Sequence, residues 1–94
     1  MSELDGLIEA LNEAHEFPCR YVFKVIGPND SEFTEGAVAV VRAALPNQEP
    51  ELSRRETKSG GSQSVTLVVE ATSAEVVASI HEALGRIPRV RFVL

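Results

Sequence analysis

The chain contains no tryptophan, one methionine, one tyrosine and a single cysteine, Cys19. One cysteine cannot close an internal disulfide, so a reducing, cytoplasmic setting is expected and the fold must stand on its core. With four phenylalanines beside the tyrosine, that core has to be largely aliphatic. No apolar run approaches the roughly 18 residues that span a bilayer, so no membrane partner is expected. Two histidines and one cysteine, widely spaced, are too few for the three or four ligands of a zinc site. Gly-x-Ser-x-Gly, P-loop and Cys-x-x-Cys patterns are missing as well. These absences predict a protein without metal or cofactor, and not an enzyme.

Positive charge is missing from residues 1–16, which hold Glu3, Asp5, Glu9, Glu13 and Glu16 and no lysine or arginine. They account for the whole net charge of −5, because the remaining nine acids balance nine bases. An acidic segment on a neutral body offers no field for a phosphate backbone, so nucleic acid is a disfavoured partner. The same start lacks the basic residues and long apolar run of a secretory signal.

At 94 residues and 44% hydrophobic content, the chain has room for a single core. Leu4, Leu7, Ile8 and Leu11 recur at helical spacing, and Ser2 followed by Asp5 resembles a capping box. An acidic amphipathic helix is therefore predicted in 1–16, ahead of a domain spanning 17–94. Residues 20–26 alternate as a strand, stopped by Gly27-Pro28-Asn29. Asp30 or Ser31 caps a helix with the stripe Phe33, Ala37, Val40, Val41 and Ala44, closing near Leu45-Pro46. A weak strand at 51–57 and a clear one at 64–71 flank a turn over 58–62. Thr72 or Ser73 opens a second helix with the stripe Val77, Ile80 and Leu84, which Gly85 is placed to end. A last strand is expected over 89–94, with Val90, Phe92 and Leu94 inward and Arg91 and Val93 outward.

After the leading helix the order is strand, helix, strand, strand, helix, strand. This predicts an α+β, ferredoxin-like βαββαβ plait: a four-stranded antiparallel sheet in the order 4-1-3-2, with two helices on one face.

Phe17-Pro18 followed by Tyr21-Val22-Phe23-Lys24-Val25-Ile26-Gly27, the Lys58-Ser59-Gly60 turn leading to Ser64-Val65-Thr66, then Leu84-Gly85 and the terminal Val93-Leu94 resemble the YbeD-like family of small bacterial proteins. The resemblance covers the chain from about Leu11 onward. It implies a ferredoxin-like fold similar to the regulatory ACT domain and no established activity. The chain departs from the family pattern at Ser62 and Gln63, where a ring often precedes the Ser-Val pair. It departs again at His81, where tyrosine is frequent.

Two surfaces are candidates for function. The open sheet face is expected to expose Val22, Lys24, Ile26, Val68 and Val93, together with Thr66, Glu70 and Arg91. It offers no ring for stacking bases, which argues against RNA. Its apolar strip needs a cover: the leading helix, a second copy as in sheet-packed dimers, or a different protein. The second candidate is the rim where Gly27, Lys58, Arg86 and Arg89 are expected to converge beside the first plait helix, as a small-molecule or anion site. The Gly27-Pro28-Asn29-Asp30 turn resembles the ACT ligand loop, without its later glycine. Cys19 lacks a neighbouring base and reads as an inert strand residue. His81 flanks an apolar stripe and reads as half-buried packing.

Overall fold

The computed structural model describes residues 3–94. Its elements are α1 (Glu3–Ala14), β1 (Cys19–Pro28), α2 (Ser31–Ala44), β2 (Glu51–Glu56), β3 (Ser62–Ala71), α3 (Ala74–Gly85) and β4 (Phe92–Val93). The four strands form one sheet in the order β2-β3-β1-β4, the expected 4-1-3-2 read from the opposite edge. Every pairing is antiparallel. The fold is the ferredoxin-like plait.

The alternation in the central strands decides which face is buried. In β1, Phe23, Val25 and Gly27 are buried between exposed or half-buried neighbours, and in β3 the buried row on the same side is Gln63, Val65, Leu67, Val69 and Ala71, with Ser62 buried at the strand's start. Register pairs Phe23 with Leu67 and Val25 with Val65, so both strands turn one apolar row to the same side. That row meets Phe33, Ala37, Val38 and Val41 of α2 and Val77, Ala78, Ile80 and Leu84 of α3. Capping fixes where the helices start: an Asp30 oxygen accepts from the Phe33 N–H at 2.8 Å, and the Ser73 hydroxyl accepts from the Val76 N–H at 3.2 Å. At the other end of α3, Gly85 is still helical and the capping Arg86 has φ −93°, so the left-handed ending that glycine favours is not used.

Gly27 is required by packing. A Cβ built there would lie 2.3 Å from the ring of Phe33, which is itself buried. Gly27→Ala is therefore expected to lose roughly 1–3 kcal/mol, as overpacked cores do, with a lowered urea midpoint as the measurement. An unchanged midpoint would show that the Phe33 ring moves aside freely.

One of the alternatives left open for the sheet face is decided here, and one expectation is corrected. The leading helix does not cover the open sheet face: α1 packs on α3, with Leu11 buried and Leu4, Leu7 and Ile8 half-buried. The expected capping residue Ser2 lies outside the described residues. The last strand is also shorter than expected, because Ile87-Pro88-Arg89-Val90 forms a β-turn closed by the Val90 N–H to Ile87 carbonyl bond at 3.1 Å. Proline second and a positive φ third, here 68° at Arg89, are the marks of a type II turn. The turn absorbs the residues expected to start the strand. Val93 then pairs with buried Val25 and packs on the core, while Phe92 pairs with Ile26 on the opposite side.

Candidate functional site

Correcting β4 changes the open face. Cross-strand neighbours share a face, so Phe92 stands beside Ile26. Leu94 lies beside Lys24, to which it is joined by two backbone hydrogen bonds of 2.7 and 3.2 Å. Val22 and Val68 are direct partners on the other side of Lys24 from Ile26. The apolar strip is thus exposed Val22, Phe92 and Leu94 with half-buried Ile26 and Val68. Phe92 is 63% and Leu94 65% exposed, against 51% for Val22. Of the expected contact set, Val22, Lys24, Ile26 and Val68 lie here and Val93 does not. The face carries one ring, Phe92, on the edge strand. The central strands β1 and β3, where base-stacking sheets place their rings, have none on this side.

The charges around the strip are sorted. Arg20, Lys24 and Arg55 share the face with Glu51 and Glu70, and the Arg91 guanidinium is hydrogen-bonded to the Ser62 hydroxyl on the same side. Arg20 and Glu51 form an ion pair at 3.3 Å, with both side chains largely exposed. Four bases against two acids make this face basic on a chain whose net charge is −5.

The four residues of the expected rim have separate surroundings. Gly27 lies beneath Phe33, and Lys58 is exposed in the hairpin turn. Arg86 pairs with Glu82 on α3 and lines a hollow beside α1. Arg89 bonds Asp30 at 3.0 Å, which makes it the one member joined to the loop after β1.

That loop instead borders a groove of about 500 Å³ lined by Asn29, Asp30, Ser31, Thr34, Glu35, Arg54 and Glu56. Beneath it lies Gln63, 0% exposed. Its amide N–H groups donate to the carbonyls of Pro28 at 3.0 Å and Asp30 at 2.8 Å. Its oxygen accepts from Arg54 Nε at 2.7 Å and from the Thr34 hydroxyl at 3.1 Å. Arg54 also donates to Asn29 at 2.6 Å and to Glu56 at 3.2 Å, and the Asn29 amide reaches the Gly60 carbonyl at 2.9 Å. No described buried side-chain nitrogen or oxygen lacks a partner. Sequence reasoning placed Asn29 in a candidate ligand loop but missed Arg54, Thr34 and Gln63 as its partners. A signal was available: glutamine at 63 has the inward phase of Val65 and Leu67, and a polar group in that phase must be bonded.

Elsewhere, His15, Phe17, Tyr21 and Phe23 form a row of rings with centroids 4.9–5.9 Å apart. Burial pushes the Tyr21 hydroxyl pKa above its ordinary value, and Cys19 adds in the same direction. His81 is half-buried beside Leu4 and Leu7. Among the described residues no three His, Cys, Asp or Glu side chains are grouped to hold a metal ion, and no helix is long and apolar enough to cross a membrane.

A family model described as "Protein of unknown function (DUF493)" matches residues 12–94. The chain is 37% identical over 84 residues to a UPF0250 protein of Edwardsiella ictaluri, covering 89% of this chain and 95% of the relative. Its identity to a UPF0250 protein of Sodalis glossinidius is also 37%, and to one of Photorhabdus laumondii 36%, at the same coverage. None of these names carries an activity. With the match running from within α1 through β4, the chain belongs to the DUF493 family, the YbeD-like family of small bacterial proteins that its Phe17-Pro18 and Tyr21 to Gly27 blocks resemble.

Proposed function

We propose that this protein is a non-catalytic adaptor or regulatory domain that binds another protein on its open sheet face. The observation that carries the reading is the uncovered strip of Val22, Ile26, Val68, Phe92 and Leu94, left bare because α1 packs on α3. Contiguous exposed apolar side chains rimmed by polar ones are the mark of an interaction surface. Charge selects the occupant: a basic rim fits an apolar protein surface flanked by carboxylates, such as an acidic amphipathic helix.

The test is an amide NMR titration with two synthetic amphipathic helices, one of leucine and glutamate, the other of leucine and lysine. The first is expected to shift residues 20–26, 66–70 and 92–94, and to bind at least about tenfold more tightly than the second. Val68→Asp is expected to abolish those shifts while the fold is retained. Equal binding of both peptides, or shifts confined to the helical layer, would sink the proposal.

The alternative is an ACT-like sensor that takes a small molecule at the loop after β1, and the groove beside Asn29, Thr34 and Arg54 favours it. The same spectra separate the two readings. A metabolite bound in the groove would shift Asn29, Thr34 and Arg54 and leave Val22 and Val68 unmoved.

A further inference from the structure

β2 lies at the edge of the sheet, and all six of its residues are exposed. Its backbone phase follows from the hairpin. The Thr57 N–H donates to the Ser62 carbonyl at 2.9 Å, and the β2–β3 register runs on to that pair. Bonding residues alternate along an antiparallel strand. Glu51, Ser53 and Arg55 therefore bond β3, and Leu52, Arg54 and Glu56 turn their N–H and C=O groups toward the outer edge.

We propose that this edge pairs antiparallel with the same edge of a second copy, centred on Ser53, to give one continuous eight-stranded sheet. The register is selected by the chain itself. Outward-bonding residues must meet outward-bonding residues, so the two-fold axis passes through a residue and not between two. Centred on Ser53, Leu52 of each copy meets Arg54 of the other in a doubly hydrogen-bonded pair. Glu51 of each copy stands opposite Arg55 of the other, in the closer geometry of a non-hydrogen-bonded pair. Arg55 has no ion-pair partner among the described residues of its own protomer. Centring on Arg54 or on Arg55 would set that arginine against itself, and centring on Leu52 gives no opposite-charge pair.

Charged residues on an edge generally discourage a second strand. Here they discourage every register but one. Leu52, 48% exposed on the helix side of the edge, is covered in that register by the aliphatic stem of Arg54 of the other copy. One isologous contact closes the assembly as a dimer. It sets both open faces on the same side of the joined sheet, and it places Leu52 of each copy beside the groove that Arg54 and Glu56 line in the other. The inference stands apart from the occupant of the open face, since β2 pairing covers none of Val22, Ile26, Phe92 or Leu94.

Native mass spectrometry of the full chain over a concentration series tests it, with circular dichroism confirming the fold of each variant. The wild type is expected to be a dimer. Arg55→Glu and Glu51→Arg are each expected to weaken association by at least about tenfold, and the double variant carrying both is expected to restore it. Leu52→Pro removes an N–H that points away from β3, so it is expected to leave a folded monomer. A wild type that stays monomeric at every concentration overturns the proposal. So does a dimer that survives Leu52→Pro, or a double variant that fails to regain association.

Discussion

Phe23→Ala is expected to lose about 3–5 kcal/mol of folding stability, as truncation of a buried aromatic does. Val22→Ala, one residue earlier in the same strand, is expected to lose less than about 0.5 kcal/mol. Phe23 is completely buried and packs in the cluster with Leu67 and Val25, whereas Val22 is half exposed on the open face. A domain of this length has a total stability on the order of 5–14 kcal/mol, so the first change removes a large share of it. Paired urea titrations of the two variants measure the difference. Comparable losses at both positions would mean that the open face is covered within the protomer, or that the strand faces are assigned the wrong way round.

Gln63→Leu is expected to cost about 3 kcal/mol, although leucine has nearly the same volume and is the more apolar residue. The cost arises from four abandoned partners: the carbonyls of Pro28 and Asp30, Arg54 Nε and the Thr34 hydroxyl. Each buried group left unpaired forfeits roughly 1–3 kcal/mol, and water entering from the groove recovers part of that. Combining Gln63→Leu with Arg54→Leu is expected to give less than the sum of the two single losses, because the first change has already removed the bond that the second deletes. Strict additivity in urea titrations of the three variants would show that the two side chains are energetically independent. A fully stable Gln63→Leu would show that the network orders the loop after β1 without contributing to folding.

The same glutamine marks where linear patterning stops informing. Inward phase at 63 is legible from Val65, Leu67 and Val69, but its partners come from residues 28, 30, 34 and 54, which are brought together by pairing β3 with both β1 and β2. The partners taken up by Arg86 and Arg89 of the expected rim, which also held Gly27 and Lys58, were illegible for a related reason. Sharing one end of a sheet places residues within a broad region, and individual ion pairs then decide where each cation goes: Arg86 to Glu82, Arg89 to Asp30. On the open face, Val22, Lys24, Ile26 and Val68 were legible from strict alternation in β1 and β3. Val93 was misplaced because alternation was counted from Arg89 and Val90, which belong to a turn.

By itself, then, the sequence determined the order of elements, the plait, the inward rows of β1 and β3 and the pair of neighbouring residues from which each plait helix takes its cap, because period-two and helical spacings and capping chemistry act over a few residues. The tertiary structure alone decided that α1 lies on α3, that the final strand begins after a tight turn and exposes Phe92, and that Arg54 meets Gln63 beneath a groove. Each of those depends on which surfaces meet across the chain, and an amphipathic helix or a short edge strand can satisfy its own local pattern against more than one of them.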